Sequence, residues 1–573
     1  MFASARHSRR SGTHAIRKMS TRATCARRPM RARRTLAGGE NRAASHRCGP
    51  RGPGTRLGPS AGALLAAAAL LHLTACSFEP PPSVPEPVAE VPSGFAGGAL
   101  PGDYQSREWW AAFEDPVLNT VVDSVLTANF DLAEAVARVE QARAQAGIAR
   151  AGLFPAVQAS ASVTDQNTPA NAGFGEQFRK LAGGEDGSLP GGLEFPDRLG
   201  FTTYALGADF AYELDFWGRA RNDARAAGAQ YLASEADYHT ARIGVLAATI
   251  TTYFEIVALR RQTGLARDLV EVLQEREQLT DSRYERGLVT SFELYQVRGD
   301  LRNTEAGLPQ LETQLNDAEG RLAVLLGGYR SKLDAIVPEA LTPASLVEPV
   351  AAGVPADLLF QRPDVRAAGL RLDAARFTIG ARRAELLPSL SISGTIGVQS
   401  SEADGLFKVD QWFRNLVGNL TAPIFQGGRL RSNVALAHAQ FNQVAAAYGR
   451  AVVTAVYEVE AALAALANED RRHAFLISQR EEAQASVALQ SDRYESGVGG
   501  YTDYLDALRT LLNVESTLAA AGRDLALARL AVHRALGGDW TAEPESLEGP
   551  RMVPADETST AEDSTKSKSQ GSS

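Results

Sequence analysis

Two long stretches of the chain, residues 218–328 and 428–538, repeat the same local signals at a constant spacing of 210 residues. Each stretch begins with Gly-Arg, passes through an Arg-Tyr-Glu-x-Gly turn and ends in Leu-Gly-Gly. A second set of matches lies upstream at a spacing of 233, and it pairs Asp131 with Asp364, Gly147 with Gly380, Arg150 with Arg383 and Pro155 with Pro388. Repeats of this size are much longer than those of solenoids. The sequence therefore predicts one elongated body built twice.

The distribution of proline predicts where the long helices lie. Proline is absent between Pro196 and Pro309 and again between Pro423 and Pro544. Proline inside a helix removes a hydrogen bond and clashes with the preceding turn, so long helices fit best in these gaps. Residues 218–286 alone would form a helix about 100 Å long. Each such helix ends at a glycine-containing turn and is followed by a return helix, which predicts two long helical hairpins.

Polar and apolar residues alternate in the two segments that precede the long helices, and this alternation predicts β-hairpins at about 155–215 and 388–425. Strands of about ten residues with one apolar and one small, uncharged face are typical of membrane-spanning strands. Four strands cannot close a barrel, and open strand edges are excluded from lipid. Two chains would give eight strands and three would give twelve. We therefore expect the barrel to be shared between copies of the chain.

The amino-terminal region has the organisation of a secretory signal. Residues 1–56 hold 15 Lys/Arg and one acid, and residues 61–73 form an apolar run too short to span a bilayer. The following Leu-Thr-Ala-Cys ends at Cys76 and resembles the lipobox of bacterial lipoproteins, which implies a diacylglycerol and an N-acyl chain on Cys76. Ser77 implies sorting to the outer membrane. The basic stretch is longer than a signal needs, so the true translation start is open, and a nucleic-acid role is not expected.

These observations predict a domain order, with an α+β membrane fold and internal duplication. In sequence, the predicted parts are an Arg-rich extension and removed signal peptide (1–75), a lipidated linker (76–115), a first repeat (116–328), an equatorial linker (329–354), a second repeat (355–540) and a disordered tail (541–573).

Six motifs in the same order resemble the TolC-like outer-membrane efflux proteins, in particular their lipoprotein branch of NodT/OprM-type outer-membrane factors. They are Trp-Trp-x-x-Phe-x-Asp-Pro (109–116), YELDFWGR (212–219), Arg-Pro-Asp-Val (362–365), IGARRAELLPSLSISG (379–394), PIFQGGR (423–429) and the two Tyr-x-x-Gly turns. The resemblance implies a homotrimer with a twelve-stranded barrel in the outer-membrane lipid and a periplasmic helical cylinder. It also implies an exit duct for small toxic compounds that joins a periplasmic membrane-fusion adaptor and an inner-membrane transporter of the RND or another class.

The resemblance also implies a gate at the second tip turn. Asp503 and Asp506 lie three residues apart at the start of a helix and therefore share one face. A ring of such carboxylates attracts cations at the narrowest point of a channel. Glu293 matches Asp503 at the spacing of 210, and Tyr494 matches a gate tyrosine of the family. Gly499 stands where TolC has an arginine, which leaves the closed-state network open.

The tip turns are the predicted adaptor contact, because they end the long helices farthest from the membrane. The residues concerned are Tyr284, Gly287 and Leu288 in the first turn and Tyr494, Gly497 and Val498 in the second. No phosphate-binding glycine loop, nucleophile elbow or metal-ligand spacing occurs in the sequence, so neither an enzyme nor a cofactor is expected. Two alternatives stay open at this stage: a type I secretion duct, and a periplasmic adaptor or structural coiled-coil lipoprotein.

Overall fold

The computed structural model describes residues 108–169, 197–338 and 362–538, with a few further positions between 170 and 196. The predicted signal peptide, Cys76, the tail and most of both predicted linkers lie outside the described residues. The helices are α1 (Pro116–Ala128), α2 (Phe130–Ala151), α3 (Arg219–Glu285), α4 (Ser291–Leu325), α5 (Arg330–Ile336), α6 (Pro363–Ala384), α7 (Arg429–Glu495) and α8 (Tyr501–Ala535). The strands are β1 (Ala156–Pro169), β2 (Ser188–Leu189), β3 (Leu193–Glu194), β4 (Arg198–Leu214), β5 (Ser389–Ser400) and β6 (Trp412–Thr421).

The four long strands form one antiparallel sheet in the order β1-β4-β5-β6, and β2 and β3 form a separate short pair. The two hairpins of the four-stranded sheet have the same register. Ala156 pairs with Ala211 in the first hairpin, and Ser389 pairs with Thr421 in the second. Ser389 follows Ala156 by 233 residues, and Thr421 follows Ala211 by 210. Both spacings found in the sequence are therefore reproduced in the hydrogen bonding of the sheet.

One face of the sheet is apolar over a distance that suits a membrane. Along β4 this face carries Tyr204, Leu206, Ala208, Phe210, Tyr212 and Leu214. Ten residues at a rise of about 3.3 Å per residue and a tilt of about 40° span about 25 Å along the membrane normal, which is the height of the apolar band of outer-membrane barrels. On this face Val157 and Leu416 are both 71% exposed in the single chain.

The opposite face of the sheet is polar. Its central residue is Asp209 of β4, which accepts hydrogen bonds from the hydroxyl groups of Ser160 (2.7 Å) and Thr395 (2.6 Å) on the two neighbouring strands. A carboxylate on this face needs such donors or water because burial without partners is costly. The polar face therefore suits an aqueous lumen, and the apolar face suits lipid.

The two helical hairpins match in length, with 67 residues in α3 and in α7 and 35 in α4 and in α8. Each long helix starts after a glycine with a positive φ, 76° at Gly218 and 84° at Gly428. Glycine adopts this left-handed conformation without the steric cost that a Cβ brings. The same glycine-arginine signal thus directs the chain from the sheet into the helix in both repeats.

Part of the predicted amino-terminal linker belongs to the hydrophobic core. A 3₁₀ helix at Trp109–Phe113 buries its three aromatic side chains against α1, α3 and α4. Asp115 caps α1 by accepting the amide hydrogens of Val117 (2.9 Å) and Leu118 (3.1 Å), and its other oxygen accepts the Tyr253 hydroxyl at 2.7 Å. The apolar Trp-Trp-x-x-Phe pattern explains this difference from the prediction. The predicted equatorial linker likewise begins with a helix, α5, whose Leu333 is fully buried.

The helices α3 and α7 each contain an 18-residue window of mean hydropathy 1.4, long and apolar enough to cross a membrane by length and composition. In α3, 67% of that window is buried within the chain, as expected for a core helix. In α7 only 22% is buried. The apolar windows of these two equivalent helices therefore have equal mean hydropathy, but the chain buries much more of the window in α3 than of the window in α7.

Candidate functional site

The predicted gate and adaptor contact lie at two similar turns, which join α3 to α4 and α7 to α8. In the first turn the amide of Gly287 donates to the Tyr284 carbonyl (2.8 Å), and the amide of Leu288 donates to the Arg283 carbonyl (2.9 Å). The second turn repeats both bonds, each at 2.9 Å, from Gly497 to Tyr494 and from Val498 to Arg493. Both glycines have positive φ, 73° and 72°. This is the left-handed helix ending that the sequence pattern predicts.

Both turns present large apolar side chains to solvent. Leu288 is 67% exposed and Val498 is 73% exposed, and Phe292 beside the first turn is 74% exposed. Tyr284 and Tyr494 are about half exposed. Exposed apolar side chains concentrated at one point of a surface are typical of an interaction site.

Gly499 is required by the close approach of the backbone in the second turn. A Cβ at this position would lie 2.9 Å from Cβ of Arg493 and 3.3 Å from the Tyr494 nitrogen. The Gly499 amide also donates to the Arg493 carbonyl at 2.9 Å. An arginine, as found at this point in TolC, therefore does not fit this turn without a shift of the backbone.

Glu293 and Asp503, which match at the spacing of 210, both lie in the first turn of their helices and contact the residue that precedes the helix. The Glu293 amide donates to the Thr290 hydroxyl at 3.4 Å, and that hydroxyl lies 3.3 Å from the Glu293 carboxylate. In the second repeat the Gly500 amide donates to the Asp503 carboxylate at 3.3 Å. A carboxylate in the first turn also interacts favourably with the helix dipole.

Asp506 lies in a set of polar contacts between α8 and α3 that we name the α3–α8 clasp. The Arg276 guanidinium forms an ion pair with Asp506. One turn earlier, the Tyr501 hydroxyl donates to the Glu275 carboxylate at 2.9 Å, and Arg283 donates to the Thr502 hydroxyl at 3.4 Å. The Arg276 side chain is 16% exposed and Asp506 is 49% exposed, so the ion pair is only partly shielded from water.

Tyr501 also connects the clasp to the second tip turn. Its ring lies 4.9 Å from the ring of Tyr494 and 5.8 Å from that of Tyr504, measured between centroids. The hydrogen bond to Glu275, followed by burial, raises the pKa of Tyr501 to about 12. The phenol is thus protonated at physiological pH and acts as the donor to Glu275.

Asp503 and Asp506 lie at the start of α8, Tyr494 lies in the last turn of α7 with its ring against Tyr501, and Glu293 lies at the start of α4. Of the residues of the clasp only Asp506 was predicted as a site residue; Glu275, Arg276, Arg283, Tyr501 and Thr502 were not. The sequence points to them only once the structure shows that α3 and α8 are antiparallel neighbours. Residues at similar distances from the two tips then face each other, and Arg276 precedes Gly287 by about as many residues as Asp506 follows Gly497.

Further contacts between α3 and α8 lie farther from the tips. Arg261 forms an ion pair with Glu515, and the Gln262 side-chain amide donates to the Ser516 carbonyl at 3.3 Å. Among the described residues no group of three or more His, Cys, Asp or Glu side chains is placed to hold a metal ion.

Comparison with known proteins identifies the relatives of this chain. The chain is 31% identical over 477 residues to the pyoverdine export outer membrane protein OpmQ of Pseudomonas putida. The aligned residues cover 82% of this chain and 96% of OpmQ. It is 32% identical to the outer membrane protein OprJ of Pseudomonas aeruginosa, and this alignment covers 82% of this chain and 94% of OprJ. The Campylobacter jejuni CmeC outer membrane channel superposes with a TM-score of 0.72 at 27% identity, covering 82% of this chain and 96% of CmeC.

The fold class predicted from the sequence, an α+β membrane protein with a four-stranded sheet continued by long helices, is confirmed by this superposition, and so is the outer-membrane location. The family model for outer membrane efflux proteins matches residues 121–328 and 354–538, which are the two repeats. The chain therefore belongs to the outer membrane efflux protein family.

Proposed function

We propose that this protein is the outer-membrane exit duct of a tripartite efflux pump and passively conducts small toxic compounds out of the cell. The observation that carries the proposal is a four-stranded sheet with an apolar face of membrane height, joined directly to helices of 67 residues. Its two outer strands, β1 and β6, have no partner on one side among the described residues. Lipid does not tolerate open edges, so copies of the chain must complete the wall.

A homotrimer satisfies this requirement best. Three copies give twelve strands, whereas eight strands leave an interior that side chains fill. The order β1-β4-β5-β6 places antiparallel strands at the two edges, so β6 of one copy and β1 of the next can pair in the same antiparallel sense. Polar groups such as Asp209, Ser160 and Thr395 then face the lumen. No bond chemistry is required of such a duct, which agrees with a site made of helix contacts.

The tip turns are proposed to bind a periplasmic adaptor, which connects the duct to an inner-membrane transporter of the RND or another class. The support is the exposure of Leu288 and Val498 at the ends of helices about 100 Å long. OpmQ is named for pyoverdine export, so the family includes ducts for small molecules. We favour small-molecule efflux over type I protein secretion on this ground.

The proposed function is tested by deletion and by conductance. A deletion strain exposed to a panel of toxic compounds is expected to become sensitive to a subset of them, and the wild-type protein is expected to restore resistance. The purified protein is expected to be a detergent-requiring trimer that forms channels in a planar bilayer. A water-soluble monomer without channel activity would refute the proposal.

Asp503 and Asp506 are proposed to form a ring of six carboxylates at the periplasmic constriction of the trimer, with Glu293 close to it. Asp506 is half exposed despite its ion pair, so its charge still acts on ions in the lumen. In a planar bilayer, Asp503→Asn with Asp506→Asn is expected to reduce cation preference and block by divalent cations. Asp524→Asn, which removes a carboxylate near the other end of α8, is the control and is expected to leave both unchanged. Unaltered selectivity in the double variant would exclude the ring.

Cys76 is proposed to carry the diacylglycerol and N-acyl chain that anchor the mature amino terminus in the outer membrane. Mass spectrometry of the purified protein is expected to show a mature chain that starts at Cys76 with the mass of three acyl chains. A peptide that spans Ala75 and Cys76 would argue against cleavage, and the same experiment with Cys76→Ala is expected to show no lipid.

A further inference from the structure

The junction between the first β-hairpin and α3 carries two arginines whose charges are balanced within the chain. Arg219 forms ion pairs with Glu213 at 2.8 Å and with Asp223 at 3.6 Å. Arg221, two residues later, forms an ion pair with Asp215 at 3.3 Å. Both cations at the start of α3 therefore have carboxylate partners.

The matching junction between the second β-hairpin and α7 keeps the arginines but has none of these carboxylates. At the spacing of 210 the two arginines recur as Arg429 and Arg431. The three carboxylates are replaced, in chain order, by Pro423, Phe425 and Asn433. The internal duplication has thus preserved the positive charges at the second junction without the negative charges that neutralise them at the first.

Arg429 is exposed at the start of α7. In the described part of the chain its guanidinium donates a hydrogen bond to the side-chain oxygen of Gln426 and has no carboxylate partner. A guanidinium stays charged at physiological pH, and it presents several donors in one plane that match the two oxygens of a carboxylate. The remaining donors of Arg429 are therefore available to an anion from solution.

Arg429 lines a cavity of about 890 Å³ that α3, α6, α7 and the adjoining strand ends surround. Part of its wall is apolar, and Ile424 and Phe425 in this wall are 96% and 87% exposed. Trp217 forms another part, and its indole nitrogen donates to the Pro388 carbonyl at 2.7 Å, which fixes the ring. A cavity of this size, with apolar walls and a few polar groups, is typical of a small-molecule site.

The other charged side chains of the cavity are already paired. The pairs are Glu213 with Arg219, Asp215 with Arg221 and Glu385 with Arg382. These pairs make no net contribution to the charge of the cavity. Arg429 therefore adds one uncompensated positive charge next to the apolar wall.

The cavity opens on the polar face of the sheet. Glu213 lines it and follows Asp209 by four residues on β4, so both side chains lie on the same face. Ser389 and Thr421, which pair with each other across β5 and β6, also line it. In the proposed trimer this face surrounds the lumen. Compounds that leave the helical cylinder therefore pass the cavity as they enter the barrel.

We propose that the cavity at the second junction binds amphipathic organic anions in the lumen. A carboxylate or sulfonate group accepts hydrogen bonds from the Arg429 guanidinium, and the apolar body of the molecule covers Ile424 and Phe425. The inference rests on the proposed exit duct and names one class of compound that the duct carries. The first junction offers no such site, because carboxylates of the chain already occupy its arginines.

The carboxylates at the tip turns do not oppose binding at this site. Arg429 and the second tip turn lie at opposite ends of α7, a helix of 67 residues and about 100 Å. Physiological salt screens the interaction of exposed charges beyond about 8 Å. The two charged sites of the lumen therefore act on a passing molecule one after the other.

Single-channel recording in a planar bilayer tests the site with cholate, a carboxylate on a rigid apolar body. Cholate is added to the full-length protein on the barrel side, below the concentration at which it forms micelles, so it reaches the junction without passing the tips. Brief interruptions of the current are expected in the wild type. Arg429→Gln is expected to shorten each interruption about tenfold, because a charged hydrogen-bond partner is lost. Acetate, which has no apolar body, is expected to cause no interruptions.

The matched control is Arg431→Gln. It removes the same charge from the same helix two residues later, and Arg431 does not line the cavity. The duration of the interruptions is expected to equal that of the wild type. Phe425→Ala removes part of the apolar wall and is expected to shorten the interruptions while the charge is retained.

Asn433→Asp supplies a second measurement if the loss of Arg429 disturbs folding. It restores the carboxylate that pairs with the arginine of the first junction, so Arg429 becomes neutralised within the chain and the interruptions are expected to shorten. Conducting channels that cholate does not interrupt, or interruptions of equal length in all variants, would overturn the site and leave the duct intact. Absence of channels in the wild type would refute the proposed function and the site with it.

Discussion

Replacing the two tip glycines by arginine, Gly287→Arg with Gly497→Arg, is expected to abolish resistance to the exported compounds while trimers still assemble. A Cβ at either position meets nothing within 4 Å, so both new side chains extend from the tips into solvent. The left-handed backbone at each glycine costs a non-glycine residue about 1–2 kcal/mol. That cost falls on an exposed turn far from the buried core, so the hairpins are expected to remain folded.

The large effect comes from the docking surface. In the proposed trimer the double variant adds six cations among Leu288, Val498 and their neighbours, where an apolar adaptor surface would have to bury them. Burying an unpaired charge is far more costly than the backbone strain. Growth in a drug panel is expected to match that of the deletion strain, and cross-linking to the adaptor is expected to be lost.

The control for this experiment is Gly287→Asn with Gly497→Asn. Asparagine adopts the left-handed conformation more readily than other residues with a Cβ and carries no charge. This variant is expected to retain most of the resistance. Full resistance in the arginine variant, at normal trimer levels, would show that the tips do not bind the adaptor.

Loosening the α3–α8 clasp is expected to produce a duct that is open in the absence of its partners. Arg276→Ser removes the ion pair with Asp506, and Tyr501→Phe removes the hydrogen bond to Glu275 while it keeps the stacked ring. Partly exposed contacts of this kind contribute about 1 kcal/mol or less each. At about 0.5 kcal/mol for each of the two contacts, the combined variant loses about 3 kcal/mol over three subunits, which shifts the ratio of open to closed channels by about 100-fold.

The measurement is single-channel conductance in a planar bilayer, together with the uptake of an antibiotic too large for general porins. Both are expected to rise strongly in the combined variant and more weakly in each single variant. Arg267→Ser is the matched control, because it breaks a 2.8 Å ion pair with Glu312 within one hairpin rather than between hairpins. Equal conductance in the combined variant and the wild type would show that the clasp does not hold the duct closed.

The sequence predicts the strands and long helices of this fold well because the alternation of polar and apolar residues and the proline-free stretches are both regular. The alternation in 204–214 and the proline-free stretch after Gly218 leave little choice between strand and helix. The duplication then makes each repeat a check on the other, and the hairpin registers agree with the same two spacings. The core position of Trp109–Phe113 was not predicted, since a short apolar segment next to a proline-rich spacer resembles a linker.

The candidate site was only partly predictable for a physical reason. The tip glycines carry a backbone requirement that is visible in one segment of sequence, because only the left-handed conformation ends the helix there. Arg276 and Asp506 are 230 residues apart, and their contact depends on which long helices are neighbours. The crowding at Gly499 likewise depends on the path of the turn back toward Arg493. Such contacts follow from tertiary packing rather than from local pattern.

The clasp is not repeated by the internal duplication. Its residues Arg276, Asp506 and Tyr501 correspond at the spacing of 210 to Ser486, Gln296 and Ser291, which cannot form the same ion pair. Each subunit of the proposed trimer therefore contributes one clasp, which joins its own two helical hairpins. Movement of the tips then takes one of two forms: the two hairpins of a subunit move together, or the clasp between them breaks.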